Sequence, residues 1–316
     1  MRILITGGSG FIGSQLIKML SGHQLLVLTR DITKAHAHFS ALGVLPKARA
    51  NLTLLDSLDS LADFNQIDAV INLAGEPIAD RRWTTAQKQR ITDSRLNITE
   101  QLVAKIHAST QPPRVLLSGS AVGWYGDQQQ HAFDEQLHVH SQHFSHQVCQ
   151  QWEQLALKAQ SNQTRVCLLR TGIVLARHGG ALKKMLPAYR LGLGGPIADG
   201  QQYLPWIHMQ DMLRAILFLL ETEHAQGAYN LCAPHPVPNA QFSLTLANTL
   251  QRPHLLTIPR WLIQLLMGEA SELLLDSQRA KPKKLTDLGF QFNYCRIESA
   301  LQQLYPNNLE LQVGGK

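Results

Sequence analysis

The chemistry of this 316-residue chain is concentrated in Ile3-Leu4-Ile5-Thr6-Gly7-Gly8-Ser9-Gly10-Phe11-Ile12-Gly13, where an apolar run meets glycines recurring every third position. Gly7 lets the backbone leave a strand in a conformation that a Cβ resists. Gly10 removes bulk where a pyrophosphate approaches the main chain, and Gly13 lets the next helix lie close to the sheet. The first amides of that helix then face an anion, and the helix dipole adds to the attraction. The triplet follows the run Arg2–Thr6 and precedes the helical pattern Phe11, Leu16, Ile17, Leu20, which is the strand-to-helix setting that a dinucleotide-binding turn demands.

The next apolar run, Gln24–Thr29, ends at Arg30. An acidic residue there would accept from a free ribose 2′-hydroxyl, whereas a guanidinium suits a 2′-phosphate through paired charged hydrogen bonds. The predicted cofactor is therefore NADP(H), with Asp31 read as the cap of the turn that follows. The run from Asp68 to Leu73 opens into Ala74-Gly75, an edge free of bulk where a cofactor can lie. Gly7, Gly10, Phe11, Ile12, Gly13, Arg30, Ala74 and Gly75 are the expected cofactor contacts.

These residues need a scaffold that alternates strand and helix. Strand patterns at Arg2–Thr6, Gln24–Thr29, Leu52–Leu55, 68–73, Arg114–Ser118 and Arg165–Arg170 alternate with helical patterns that include Thr84–His107 and Gln142–Gln160. Residues 1–170 thus predict an α/β fold, a doubly wound parallel sheet of Rossmann type. Residues 171–316 read as a smaller mixed α/β substrate lobe whose strands return to the core. Its predicted helices are Gly179–Arg190, Met212–Glu221, Asn239–Leu250, Pro259–Met267 and, as the last one, Lys281–Leu288, with a strand at Leu255–Ile258 and a frayed tail at Val313–Lys316.

Composition narrows the function classes. No apolar run approaches the ~18 residues of a membrane span, and the first strand begins at residue 2, so the expectation is a cytoplasmic protein without a leader or membrane partner. The 29 basic and 23 acidic residues give a formal charge of +6, but without an Arg/Lys stripe interleaved with aromatics, which argues against nucleic acid. Cys149, Cys167, Cys232 and Cys295 are far apart, and His131, His138, His140, His143 and His146 lie in a polar segment without acids at ligand spacing. No metal is expected. The partner is a small-molecule substrate, and oligomerisation is left open.

Taken with Asn72-Leu73-Ala74-Gly75-Glu76, Trp83, Asp93-Ser94-Arg95-x-Asn97-x-Thr99, Ser118-x-Ser120, Trp152-Glu153, Arg170-Thr171-Gly172, Leu191–Pro196 and Trp206-Ile207-His208-x-x-Asp211, the chain resembles the extended short-chain dehydrogenase/reductases, specifically their atypical, epimerase-family branch. The resemblance implies a Tyr-x-x-x-Lys pair for proton transfer, a serine polarising the substrate oxygen and an asparagine supporting a proton relay. It assigns the serine to Ser120 and the asparagine to Asn97, and puts Arg170, Thr171 and Gly172 near the nicotinamide. Counting back from Trp152-Glu153, however, the tyrosine position holds Ser145 and the lysine position Cys149. A serine or an unactivated thiol lacks the nearby cation that makes a phenol a usable acid/base.

Replacements for that pair are therefore sought nearby. Tyr125, five residues after Ser120, is a candidate acid or a ring packed at the pocket mouth. Cys149 is a candidate nucleophile or a small core residue, and His208 a proton carrier or a packing residue ahead of a helix capped by Asp211. Arg81 and Arg82 could meet an anionic substrate. The leading expectation is an NADP(H)-dependent oxidoreductase acting on a small organic substrate held under residues 171–210. The alternatives are a non-catalytic NADP(H)-binding redox sensor or regulator and, third, a nucleotide-sugar epimerase.

Overall fold

Most strands of the sheet are apolar runs because helices cover both of its faces. The computed structural model describes residues 1–43 and 51–306. Seven strands, β1 (Arg2–Thr6), β2 (Gln24–Leu28), β3 (Leu52–Leu55), β4 (Ala69–Asn72), β5 (Val115–Ala121), β6 (Arg165–Thr171) and β7 (Gly227–Leu231), form one sheet in the order β7-β6-β5-β4-β1-β2-β3. Every pairing is parallel. Ile3 and Ile5 enter the core on one face and Leu4 the core on the other, as the two-residue period of a strand requires. Connections reverse direction between β1 and β4, so their C-terminal ends diverge into the crevice where such sheets bind ligands.

Helices fill the crossovers. α1 (Gly13–Met19) follows β1, and α2 (Ile32–Ala41) follows β2. The Asp31 carboxylate caps α2 by accepting from the Lys34 amide at 2.9 Å, the role predicted for it. α3 (Thr85–Ala108) matches its prediction closely because Thr84 caps it from the Gln87 amide at 3.2 Å and Pro112-Pro113 follow its end. α4 (Phe144–Leu157) precedes β6, and α5 (Gly180–Arg190) opens the C-terminal region.

Beyond residue 171 several expectations need correction. β7 carries no strand pattern of its own: Gly-Ala-Tyr-Asn-Leu has no apolar run, yet this stretch of the lobe joins the main sheet beside β6. Leu255–Ile258 is not a strand, because only Ile258 finds a partner, an isolated bridge to Ile197, while Leu255 stays 86% exposed. The helix expected at Lys281–Leu288 shortens to Lys283–Asp287 behind Pro282, and it is not the last, since Ile297–Leu304 buries Ile297, Ala300, Leu301 and Leu304. α6 (Met209–Glu221) begins three residues earlier than predicted because His208, not Asp211, is its cap, accepting from the Gln210 amide at 3.2 Å. Asp211 is fully buried in the first turn instead, where its carboxylate accepts from the Asn293 and Tyr294 amides at 2.9 and 2.8 Å and pairs with Arg214 at 2.9 Å. Val313–Lys316 falls outside the described residues. Among those described, no helix is long and apolar enough to cross a membrane.

Candidate functional site at the C-terminal edge of the sheet

The glycine turn has the geometry its residue types demand. Gly7 has φ +69°, and a Cβ there would lie 2.4 Å from the Leu73 carbonyl oxygen, so the loops leaving β1 and β4 touch backbone to backbone. A Cβ on Gly13 would lie 2.3 Å from the Gly7 oxygen, which explains how α1 sits so close. Gly10 differs: it is exposed, and its missing Cβ points into space where only the Gly7 oxygen comes within 4 Å, at 3.1 Å. The crevice is braced from below. Thr6 donates to Asn72 at 2.6 Å, Asn72 donates to Thr99 at 2.9 Å, and the Ala74 amide donates to Thr6 at 3.3 Å. Gly7, Gly10, Gly13, Ala74 and exposed Gly75 therefore share one crevice, with Arg30 exposed where β2 ends. Phe11 and Ile12 are half-buried, and the Phe11 ring seats against Gly179 and Gly180, where a Cβ would come within 2.3 and 2.9 Å.

Below the ends of β5 and β6 the groups expected to do chemistry are joined to one another. Ser120 donates to a Glu153 oxygen at 2.6 Å, and Glu153 forms a bidentate pair with Arg170 at 2.8 Å through both Nε and Nη2. Arg170 Nη1 donates to the Tyr125 hydroxyl at 2.9 Å, which donates to Asn230 at 2.8 Å. The Arg170 guanidinium also lies 3.7 Å over the Trp124 ring. This corrects three expectations. Tyr125 is fully buried rather than at a pocket mouth, and burial pushes its phenol well above the usual range despite Arg170 beside it. Arg170 is engaged by Glu153, which overcomes the effect of burial on its charge, and so it is not offered to a nicotinamide. The Ser120 proton is directed to Glu153 rather than to a substrate oxygen. Thr171 donates to Leu169 of its own strand at 3.0 Å, and Gly172 is needed because a Cβ would lie 2.2 Å from the Pro205 oxygen.

The positions of the missing pair are also enclosed. Ser145 is buried with its amide donating to Glu272 at 3.0 Å, and the buried Cys149 thiol is pushed up to about 11, first by desolvation and then by Glu153, so it is no nucleophile near neutral pH. His208 is buried, held by Gln303 at 2.9 Å and stacked on Tyr294 at 3.9 Å, and burial lowers its pKa. Trp206 is fully buried, Trp83 donates to the Ile78 carbonyl at 2.8 Å, and Arg81 and Arg82 are exposed. His143 pairs with Asp276 at 2.8 Å, and no group of metal-ligating side chains forms among the described residues.

Asn97 is a further correction. It is exposed, because it lies two residues off the buried stripe of α3, Ile91, Thr99, Leu102 and Ile106. Arg95, quoted above only as part of the family motif and without a role, stands on that stripe. Its Nη1 donates to the carbonyls of Ile91 and Glu76 at 2.9 and 3.1 Å, and its guanidinium lies 5.3 Å over the Trp152 ring. A Cβ on Gly75 would come within 3.0 Å of its Cζ. The available signal was a charge at a core-phase position of an amphipathic helix.

Comparisons with known proteins place this geometry among relatives. The family model described as the NAD dependent epimerase/dehydratase family matches residues 3–232, and a domain of unknown function, DUF1731, matches 258–304. The chain is 36% identical over 306 residues to an epimerase family protein of Staphylococcus haemolyticus, covering 96% of this chain and 98% of that one. It is 35% identical over 308 residues to the chloroplastic SDR39U1 homolog of Arabidopsis thaliana, covering 96% and 86%. The crystal structure of human epimerase family protein SDR39U1 (isoform 2) with NADPH superposes with a TM-score of 0.87 at 31% identity, covering 97% of this chain and all of that one. UDP-glucuronic acid 4-epimerase from Bacillus cereus, solved with UDP-glucuronic acid and NAD, superposes at 0.76 over 98% and 100% of the chains, but at 18% identity it shares the fold alone.

Proposed function

The chain belongs to the NAD-dependent epimerase/dehydratase family, and from that premise we propose that it is an NADP(H)-binding oxidoreductase acting on a small organic substrate. The observation that carries this is the exposed Gly10, whose missing Cβ leaves the main chain open beside a turn that Gly7 and Gly13 lock in place. The residues fit the cofactor: Gly7, Gly10 and Gly13 would admit a pyrophosphate, Arg30 its 2′-phosphate, and Ala74 and Gly75 its passage toward β5. Bound there, the dinucleotide supplies hydride exchange at its nicotinamide ring. The human relative solved with NADPH supports the choice of NADP(H) over NAD(H).

The test is the affinity of wild type and Arg30→Ala for NADPH and NADH, followed by cofactor fluorescence. The proposal expects the variant to lose NADPH affinity about tenfold or more, as removal of a charged pair implies, and NADH affinity little. Equal losses for both would contradict the assignment of Arg30.

A second reading, an NADP(H)-binding sensor without turnover, is favoured by one observation: Ser120 donates to the buried Glu153 and Tyr125 to the buried Asn230, so the protein holds its own hydroxyl protons inward. NADPH binding without oxidation across a panel of carbonyl substrates would favour it. Nucleotide-sugar epimerisation stands third, because it needs an acid/base that Tyr125 does not offer. A cytoplasmic location remains part of the proposal.

A further inference from the structure

Arg95 forms no ion pair among the described residues. Its guanidinium is half-buried at the lip of the crevice, and burial lowers its pKa even though Glu76 and Cys149 act in its favour. Among the described residues no carboxylate lies within ion-pair distance of it; the neighbours it meets are the Ile91 and Glu76 carbonyls, the Ser94 hydroxyl at 3.5 Å and the Trp152 ring. All three acceptors take Nη1. That leaves Nε and Nη2, the edge on which two parallel N–H groups match the two oxygens of a carboxylate. Neither nitrogen has a hydrogen-bond partner among the described residues, and neither is fully enclosed. Beside it, Gly75 contributes no side chain: a Cβ would sit 3.1 Å from Nη2, in van der Waals conflict with any ligand on that nitrogen.

A partly desolvated, unpaired cation is unfavourable unless a counter-charge arrives. Here the plane of the guanidinium is already fixed, by Nη1 along one edge and by Trp152 on one face, so little order is lost when a planar anion docks.

We propose that Arg95 is the anchor for a carboxylate on the substrate, which makes the substrate an organic acid. This rests on the NADP(H) oxidoreductase reading and names its substrate class. It also names a role that the exposed Asn97 does not fill. The same edge offers its hydrogen bonds to any oxyanion, so the cofactor's own phosphates are the competing source.

The experiment uses 4-fluorobenzoate as the probe and 4-fluorobenzamide as its uncharged control, followed by fluorine NMR on the full chain saturated with NADPH. Wild type, Arg95→Lys and Arg95→Gln are compared after NADPH affinity has been measured for each. The expected result is that wild type binds the acid but not the amide, that Arg95→Gln weakens the acid about tenfold or more, that Arg95→Lys lies between, and that NADPH affinity changes less than twofold. Arg95→Lys keeps a cation of similar length, so it remains informative should Arg95→Gln misfold. Equal binding of the acid by all three proteins, or of acid and amide by wild type, overturns the proposal. So does a matching loss of NADPH affinity in Arg95→Gln, which assigns the edge to the cofactor. Wild type that takes NADPH but no acid sinks the substrate class alone. Wild type that takes no NADPH sinks the oxidoreductase reading first and this proposal with it.

Discussion

At the ends of β5 and β6, side chains that family resemblance assigns to chemistry serve each other instead. Glu153 and Arg170 are each 6% exposed at the side chain, and two fixed hydrogen bonds join them. Burying both charges costs desolvation, so the pair adds little net stability, but removing one partner strands the other in a low dielectric. Arg170→Ala should therefore destabilise by about 3–5 kcal/mol, read from the urea midpoint, and adding Glu153→Gln should recover part of that loss. A loss below about 1 kcal/mol would mean that water reaches Glu153. The enclosure of Ser120 and Tyr125 follows from the same pair, which explains why their spacing in sequence misleads: Glu153 draws the Ser120 hydroxyl inward and Arg170 the Tyr125 hydroxyl, and both partners are distant in sequence.

At the scale of the element, α6 is held by a cap that titrates. His208 accepts from the Gln210 amide, which requires an unprotonated Nδ1, and burial holds its pKa below that of a free histidine. The sign follows: the depressed value contributes stability above pH ~6.5, and that contribution is lost as pH falls through the folded pKa. His208→Asn keeps a cap acceptor without the titration. Its urea midpoint should fall less between pH 7.5 and 5.5 than that of wild type, while His143 and other groups titrate in both proteins and cancel. An identical fall would contradict the role of the cap. Elements with local signals were legible: β1 through its apolar run and glycines, α3 through Thr84 and the prolines beyond it. β7 was not, because Asn230 is a buried polar residue satisfied by Tyr125, Glu135 and Lys281, contacts that no local window contains. Arg95 was hidden for a related reason: a charge on a helix reads as solvated until the neighbouring residues, Gly75 and Trp152, are known to come from other elements.

Over the whole molecule, the two ends of the sheet are unlike. At the N-terminal ends of the strands a recess is lined by the acidic Asp68, Glu221 and Glu223 and the basic Arg114 and Arg165. At the C-terminal ends lie the glycine turn, exposed Arg30 and half-buried Arg95. The proposed function puts the dinucleotide at the second end, because an anion meets acidic residues at the first. Hydrogen–deuterium exchange with and without NADPH tests this most directly, because it reports every amide at once. Protection is predicted at Gly7–Gly13, at 72–76 and beside Arg30, with no change at 113–115 and 160–165. Protection at the opposite recess, or none at the glycine turn under saturating NADPH, would contradict the account.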